Sequence, residues 1–310
     1  MRVGLSFDLD GDGDPEVVWR AVVDEIASAD NLGYDSAWVN ESRDGPASCA
    51  APSFLLTFAS RRTRCVQLRA AGRQIGRDSL VRIAEEIAVL DLFSRGRAGV
   101  AFAAASRQGI LPEQMHEAID FLTTAWSSDE FRYRGAHFQF PAHTPDDAPV
   151  GASGPAGTGS YSPQWEQGPA MPDYLAVTPK PYALRPPVAV EIDDDATLEW
   201  AARNGVSPLV GADTPTDAAV ERLARYRTTA HATGRRPAEV EVVLERRIAL
   251  DSEGDAAALG GSPRDLVDQI RALRARTGLS HLVWRRRSDE IGRIDLLFRF
   301  AGEVQPLLQA

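Results

Sequence analysis

Short apolar runs alternate with longer amphipathic stretches from one end of the chain to the other. The short runs have the length and apolar content of strands buried on both faces, and the longer stretches repeat apolar residues at helical spacing. The predicted strands are 2–9, 36–39, 66–70, 98–103, 188–191, 208–211, 239–250 and 281–285. The predicted helices are 15–32, 52–60, 79–93, 112–126, 195–204, 215–233, 263–276 and 289–308.

This alternation of strand and helix predicts an α/β fold, the (β/α)8 TIM barrel, which takes about 250 residues before insertions are added. A doubly wound parallel sheet is the alternative. That sheet would need fewer strands or a second domain, and no linker separates the two halves of this chain. We therefore predict a single barrel domain over 1–310, with its ligand edge at the C-terminal ends of the strands.

The alternation is interrupted after the fourth strand–helix unit. Residues 131–140 alternate in the manner of a hairpin around Gly135. The following stretch is dense in proline, glycine, serine and aspartate, and it has too little apolar surface to order itself. We predict a mobile insertion over 141–181, which is either a lid over the barrel or a loop without a function; the two are equally weighted.

Charge and cysteine content narrow the class of protein. The net charge of −10 leaves no surplus of basic residues to bind phosphates, so we expect no nucleic-acid partner. Two cysteines in a chain of 310 residues suggest a reducing compartment. The N-terminal residues lack the pattern of a signal peptide, and no apolar run is long enough to span a bilayer. These features predict a soluble, cytoplasmic protein with no membrane partner.

No pattern of metal ligands stands out. The five histidines have no metal-binding spacing, and paired cysteine motifs are absent. The acidic stretch from Asp8 to Asp14 is superficially similar to a calcium loop, but it lacks the closing glutamate and a preceding helix. Solvated loop carboxylates are the better interpretation, and we predict no metal site.

Residues 82–106, RIAEEIAVLDLFSRGRAGVAFAAAS, combine an amphipathic helix with a buried strand and a corner of small residues. Together with six shorter motifs, this segment resembles the luciferase-like monooxygenases. The six motifs lie at 32–41, 62–66, 133–138, 198–205, 261–267 and 303–308. The resemblance implies a barrel that binds flavin mononucleotide (FMN) or a deazaflavin at the C-terminal ends of its strands. Reduced flavin and O2 would then oxidise a small organic substrate. A flavin reductase and a homodimer or heterodimer with a related barrel are the implied partners.

The resemblance places the family's working histidine after the glutamate of the second strand, where this chain has Glu41, Ser42 and Arg43. Serine cannot accept a proton near neutral pH without a partner. We assign Glu41, Ser42, Arg43 and Asp8 as the candidate catalytic residues, with Glu41 or Asp8 as the base. An ion pair of Glu41 and Arg43 at the surface is the alternative, worth at most about 1 kcal/mol.

Small residues at the end of the third strand, Ala71 and Gly72, are the candidates for contact with the flavin ring. By resemblance, the bond between them is suited to the non-proline cis peptide that family members press against the ring. Such a bond costs about 3–4 kcal/mol. An ordinary strand exit made of small residues is the alternative.

The resemblance places the flavin phosphate between the fourth and fifth strand ends. Ala104 and Ala105 lie where the family has an Arg-Gly or glycine-rich turn, and alanine supplies no cation. Ser106 and Arg107 follow, and Arg107 could supply the missing charge.

On the fifth strand, Asp194 falls at the family's phosphate-binding serine and Thr197 is retained, while Asp195 is expected to be an ordinary helix cap. A carboxylate repels a phosphate, so we predict a weakened or remodelled phosphate site, built from Ala104, Ala105, Ser106, Arg107, Asp194 and Thr197.

Two functions remain open. The first is a flavin-dependent oxidoreductase whose positive charge comes from Arg43, Arg73 and Arg107. The second is a non-catalytic subunit or pseudoenzyme that acts as a partner or as a scaffold for a small molecule, with no flavin bound. The complete barrel favours the enzyme, because barrels often keep a ligand while their sites are rebuilt.

Overall fold

Eight parallel strands close into a barrel in the computed structural model, which describes residues 1–75, 79–141, 174–235 and 240–309. In chain order the strands are β1 (Arg2–Phe7), β2 (Ser36–Asn40), β3 (Gln67–Arg73), β4 (Ala98–Phe102), β5 (Tyr133–Arg134), β6 (Gln139–Phe140), β7 (Val188–Glu191), β8 (Ser207–Val210), β9 (Val243–Leu250), β10 (Ala258–Gly261) and β11 (His281–Arg286). Around the barrel the order is β1-β2-β3-β4-β7-β8-β9-β11, and β11 pairs with β1 to close it. The predicted TIM barrel is confirmed.

Helices surround the barrel in the described residues, and seven of them lie where the sequence predicts a helix; the short α4 was not predicted. They are α1 (Pro15–Asn31), α2 (Pro52–Ser60), α3 (Leu80–Ser94), α4 (Ala105–Gln108), α5 (Pro112–Ser127), α6 (Asp195–Asn204), α7 (Thr216–Ala232), α8 (Pro263–Thr277), α9 (Ile294–Glu303) and α10 (Gln305–Gln309). Local chemistry fixes several starts. The Asp14 carboxylate accepts the backbone N–H of Glu16 at 2.8 Å, and Ser262 and Asp265 form a reciprocal capping box.

The C-terminal segment differs from the prediction of one helix over 289–308. A single 3-10 turn at Ser288–Glu290 is followed by α9 and α10. Gly292 has φ 93°, which ends the first turn. Pro306 lies in the first turn of α10, where its missing N–H is tolerated, but it cannot continue α9. Strand β10 was not predicted either; it pairs in parallel with the C-terminal residues of β9.

The interruption after α5 begins with the predicted hairpin, β5 paired with β6. Of the insertion predicted over 141–181, residues 142–173 lie outside the described residues. Its described end is tied to the barrel: Leu175 exchanges two backbone hydrogen bonds with Phe131, at 3.0 and 2.8 Å, and Lys180 donates to the carbonyl of Ala125 at 2.9 Å.

A small apolar layer fills the middle of the barrel, separate from the main core between strands and helices. Its members are Trp38, Ala71, Ala101, Ala189, Leu209, Val243 and Val283, all buried. Three neighbouring strands, β3, β4 and β7, contribute only alanine to it. The single large side chain, Trp38, fills the space that these alanines leave, and the layer separates the two ends of the barrel.

A buried polar chain closes the N-terminal end of the barrel. The Trp38 indole donates to Ser36 Oγ at 2.7 Å, Ser36 donates to His281 Nε2 at 2.8 Å, and His281 Nδ1 donates to Glu241 at 2.8 Å. Arg69 also donates to Glu241 at 2.8 Å. Burial opposes its ionisation, but His281 and Arg69 lower the pKa of Glu241 to about 2.

This serine, histidine and glutamate have the connectivity of a hydrolase triad, but a substrate cannot reach them. The backbone of Gly4 packs so closely on Ser36 that a Cβ there would overlap the hydroxyl oxygen. The chain of hydrogen bonds therefore satisfies buried polar groups and does no chemistry.

Candidate functional site

A cavity of about 260 Å³ lies at the C-terminal end of the barrel, where the ligand edge of this fold is found. Its wall is made by residues that follow or end the barrel strands: Asp8, Asp10, Asn40, Glu41, Ser42, Arg43, Asp44, Gly72, Gln74, Phe102, Ala103, Arg107, Gln108, Glu191, Leu209, Gly211, Glu245 and Arg285. Leu209 belongs to the apolar layer, so that layer contributes to the floor of the cavity. We call this space the barrel-mouth cavity.

The barrel-mouth cavity is rich in carboxylates. Its lining has six carboxylates against three guanidinium groups: Asp8, Asp10, Glu41, Asp44, Glu191 and Glu245 against Arg43, Arg107 and Arg285. A cleft lined mainly by one sign of charge concentrates ligands of the opposite sign and repels ligands of the same sign. An anionic ligand therefore enters this cavity against its field.

Arg285 holds two of these carboxylates together. It extends inward from β11, forms an ion pair with Asp8 through Nε, and lies 3.2 Å from Glu245 Oε2 through Nη1. Burial raises the pKa of Asp8, while the charge of Arg285 and a hydrogen bond from Asn40 oppose that rise. Burial by itself would lower the pKa of Arg285, but Glu245 and Asp8 raise it well above its usual value. Asp8 is thus a carboxylate beside the cavity with an increased tendency to hold a proton.

Glu41 lies in the wall of the cavity, not at the surface, and its side chain is fully buried. Its Oε1 lies 3.1 Å from Arg43 Nη2, and its Oε2 accepts the backbone N–H of Gln74 at 3.2 Å. The buried guanidinium of Arg73 lies 3.5 Å away. Burial removes the alternative of a weak surface ion pair between Glu41 and Arg43, because only Arg43 is partly exposed.

The hydroxyl of Ser42 joins two loops. It donates to the carbonyl of Leu9 at 2.6 Å and accepts the backbone N–H of Cys49 at 3.1 Å. Both hydrogen bonds are to the backbone, so this hydroxyl supports the wall of the cavity. Among the four candidate catalytic residues, the geometry therefore favours Asp8 and Glu41 over Ser42 for proton transfer.

At the end of β3, the peptide bond between Ala71 and Gly72 is trans. The cis bonds of the described residues are the proline bonds that follow Phe140 and Thr178. The expected cis peptide is therefore wrong for this chain, and the alternative of an ordinary strand exit holds. At this exit Gly72 has φ 61°, and the pairing of β3 with β4 shifts register. Ala71 belongs to the apolar layer, and Gly72 lines the cavity.

Ala104 and Ala105 are buried at the start of the short helix α4, and their side chains carry no group that can bind an anion. The next two residues face carboxylates from the end of β7. Ser106 donates its hydroxyl to Asp193, and Arg107 Nη2 lies 2.7 Å from Glu191 Oε1. The cation predicted at Arg107 is present, but it is already paired.

Asp194 and Thr197 form the N-terminal cap of α6. The Asp194 carboxylate accepts the backbone N–H of Thr197 at 2.7 Å and its hydroxyl at 2.8 Å. Thr197 is fully buried. The expectation that Asp195 is the cap is wrong by one residue: Asp195 is exposed in the first turn, where it pairs with Arg225.

Sequence reasoning missed Glu245 and Arg285 and did not assign Glu191 a place in the site. Each of the three lies two positions after a residue of the apolar layer on the same strand. Glu191 follows Ala189 on β7, Glu245 follows Val243 on β9, and Arg285 follows Val283 on β11. Alternate residues of a strand face the same side. The alternation of inward-facing and outward-facing residues along each strand could therefore have identified these three side chains from the sequence.

Two features are absent from the described residues. No group of three or more potential ligands could hold a metal ion among the residues described. In the same part of the chain, no helix is both long enough and apolar enough to cross a bilayer.

Comparison with known proteins agrees with the architecture. The model of the luciferase-like monooxygenase family matches residues 1–260. No curated protein matches the sequence. Three solved structures share the fold. Monooxygenase RslO1 from Streptomyces bottropensis is 18% identical, with a TM-score of 0.74 and 99% of each chain covered. The oxygenating constituent of 3,6-diketocamphane monooxygenase from the CAM plasmid of Pseudomonas putida, in complex with FMN, is 15% identical, with a TM-score of 0.74 over 99% of this chain and 98% of that one. An F420-dependent secondary alcohol dehydrogenase in complex with an F420-acetone adduct is 14% identical, with a TM-score of 0.73 over 100% of each chain.

Proposed function

The chain belongs to the luciferase-like monooxygenase family, and from this membership we propose that it is a flavin-type oxidoreductase acting on a small organic substrate. The observation that carries the proposal is the barrel-mouth cavity, which places buried carboxylates at the C-terminal ends of the strands. A flavin-type ring supplies hydride transfer or, when reduced, reaction with O2. The solved neighbours that bind FMN or F420 support this class of cofactor.

In this proposal Asp8 accepts or donates the proton. Its carboxylate lies at the cavity, Asn40 donates to it at 2.9 Å, and Arg285 fixes its orientation. Burial raises its pKa and so brings proton transfer closer to neutral pH. Glu41 has a supporting role: Arg43 and the Gln74 backbone hold it as part of the wall.

The ring and the phosphate of FMN differ in how they match these residues. Gly72 and Ala103 are small residues in the wall of the cavity at the ends of β3 and β4, and Phe102 adds an apolar ring beside them. The phosphate finds no such match, because Ser106, Arg107 and Thr197 are all engaged with carboxylates. FMN therefore does not fit the site as a whole, and the catalytic role given to Asp8 depends on no contact with its phosphate.

Flavin binding and turnover test the proposal together. The purified full-length chain should quench the fluorescence of added riboflavin or FMN with a dissociation constant at or below about 10 µM. With reduced flavin supplied by a separate flavin reductase, it should consume O2 or reduced flavin faster when a suitable small substrate is present. Asp8→Asn should retain flavin binding and lose most of this stimulation. Absence of binding by both flavins would contradict the proposal.

A non-catalytic role is the second candidate, and the engaged state of Arg107 and Ser106 favours it specifically. In that case the chain would act as the partner of a related barrel or as a scaffold for a small molecule. Full substrate-dependent turnover by this chain alone, with only flavin and reductase added, would exclude the partner role.

A further inference from the structure

Each group expected beside the cofactor's phosphate is bound to a carboxylate of this chain. The three pairs are Ser106 with Asp193, Arg107 with Glu191 at 2.7 Å, and Thr197 with Asp194 at 2.8 Å. All three carboxylates come from one short stretch, 191–194, that begins at the last residue of β7. The donors that would bind a phosphate are therefore already engaged from within the chain, and Arg107, the cation among the three, is paired with a carboxylate.

Glu191 is the central member of this set. Its Oε1 accepts from Arg107, and its Oε2 accepts the backbone N–H of Ala104 at 3.2 Å. A guanidinium beside a backbone N–H is a typical donor set for an anion. The Glu191 side chain is only 8% exposed, whereas that of Arg107 is 49% exposed. The anion held by these donors is the protein's own carboxylate.

Gly211 at the end of β8 leaves the space for this pair. A Cβ at that position would lie 2.5 Å from Glu191 Oε1 and 3.3 Å from Arg107 Nη2. Glu191 also lines the barrel-mouth cavity as an inward-facing residue of β7. The carboxylate of Glu191 is thus enclosed by the barrel, while the guanidinium of Arg107 reaches it from a half-exposed position.

A phosphate could use Arg107 only by displacing Glu191. The displaced carboxylate would stay buried without its cation and beside a second anion, and both changes oppose binding. Burial already raises the pKa of Glu191, and loss of Arg107 would raise it further. The other carboxylates of the cavity also repel a phosphate and so oppose its binding.

We infer that the carboxylate of Glu191 occupies the place of the phosphate, so that the cavity takes a flavin-type ring whose side chain carries no phosphate, in preference to its phosphate ester. Riboflavin represents the first class and FMN the second. This inference rests on the proposed function, since it concerns the form of flavin that the same cavity accepts.

The test compares the two flavins on the full-length chain. Fluorescence titrations of the wild-type protein with oxidised riboflavin and with FMN should give a riboflavin dissociation constant below that of FMN. Glu191→Gln releases Arg107 and should increase the affinity for FMN, relative to riboflavin, by about tenfold or more, the effect of one hydrogen bond to a charged group. Adding Arg107→Ala to that variant should abolish the gain.

Asp44→Asn is the matched control. It removes a carboxylate from the same cavity, and no ion pair of Asp44 is found in the described part of the chain, so it frees no cation. It should change the FMN-to-riboflavin ratio by less than Glu191→Gln does. Circular dichroism and thermal unfolding of each variant show that the barrel remains folded.

The outcomes separate the inference from the proposed function. Tighter binding of FMN than riboflavin by the wild-type protein overturns the inference and leaves the proposed function in place. No change in the FMN preference of a folded Glu191→Gln variant also overturns the inference. Failure of the wild-type protein to bind either flavin overturns both. The wild-type comparison needs no variant, so the inference stays testable if a substitution prevents folding.

Discussion

Replacing Arg285 by glutamine should destabilise the barrel strongly at neutral pH. The substitution keeps a polar side chain of similar length but leaves Asp8 and Glu245 without their shared cation. Removing one partner of a fully buried ion pair costs about 3–5 kcal/mol. Arg285 is 19% exposed and Asp8 18%, so solvent screens part of that cost. We therefore expect the free energy of unfolding to fall by about 2–3 kcal/mol at pH 7.

The pH dependence has a definite sign. Burial raises the pKa of Asp8 above 3.8, and loss of Arg285 raises it further. A carboxyl group whose pKa is raised on folding contributes stability that is complete below its unfolded pKa and is lost as the pH rises through its folded pKa. The loss of unfolding free energy caused by Arg285→Gln should therefore be largest at neutral pH, and it should shrink as the pH falls towards 3.8.

Urea unfolding followed by tryptophan fluorescence at several pH values measures both effects. Arg287→Gln is the control on the same segment, because Arg287 forms its ion pair with Asp289 at 2.9 Å and both side chains are more than half exposed. That control should leave the unfolding midpoint unchanged. A deficit for Arg285→Gln that is absent at pH 7, or that grows on acidification, would refute the electrostatic explanation.

Two further predictions concern the core and the surface. Gly4→Ala places a Cβ on the Ser36 hydroxyl oxygen, so it should lower the free energy of unfolding by about 3 kcal/mol or leave the protein insoluble. By contrast, the Cβ added by Gly302→Ala in α9 meets no neighbouring atom. This substitution should stabilise the protein by about 0.5–1 kcal/mol in the same urea experiment. Phe58 on α2 is 66% exposed and lines an apolar groove with Trp19. For a homodimer formed through this face, Phe58→Ser should give a monomer in light-scattering chromatography. An unchanged dimer would exclude this face.

The elements were largely predictable because their signals are local. Helices α2 and α6 lie where the sequence places them, and β7 has the predicted bounds. One error has a local cause too: α9 ends before Pro306, which cannot continue a helix. Residues within a few positions of each other determine these features, and such residues can be compared directly in the sequence.

The candidate site was predictable only in part. Asp8 and Glu41 could be placed at strand ends, and both line the cavity. The partners of the charged residues could not be found in this way. Glu191 meets Arg107 across 84 positions of the chain, and Arg285 meets Asp8 across 277.

The sequence by itself determined the alternation of strands and helices, the capping of the helices, and the family resemblance of residues 82–106. Closure of the barrel decided which charges meet. Each strand shows in its period of two which residues face inward, but the neighbour across the barrel depends on strand order and register. Ser106 and Arg107, which could bind an anion, are therefore engaged by carboxylates at and just after the end of β7, and only the tertiary structure brings them together.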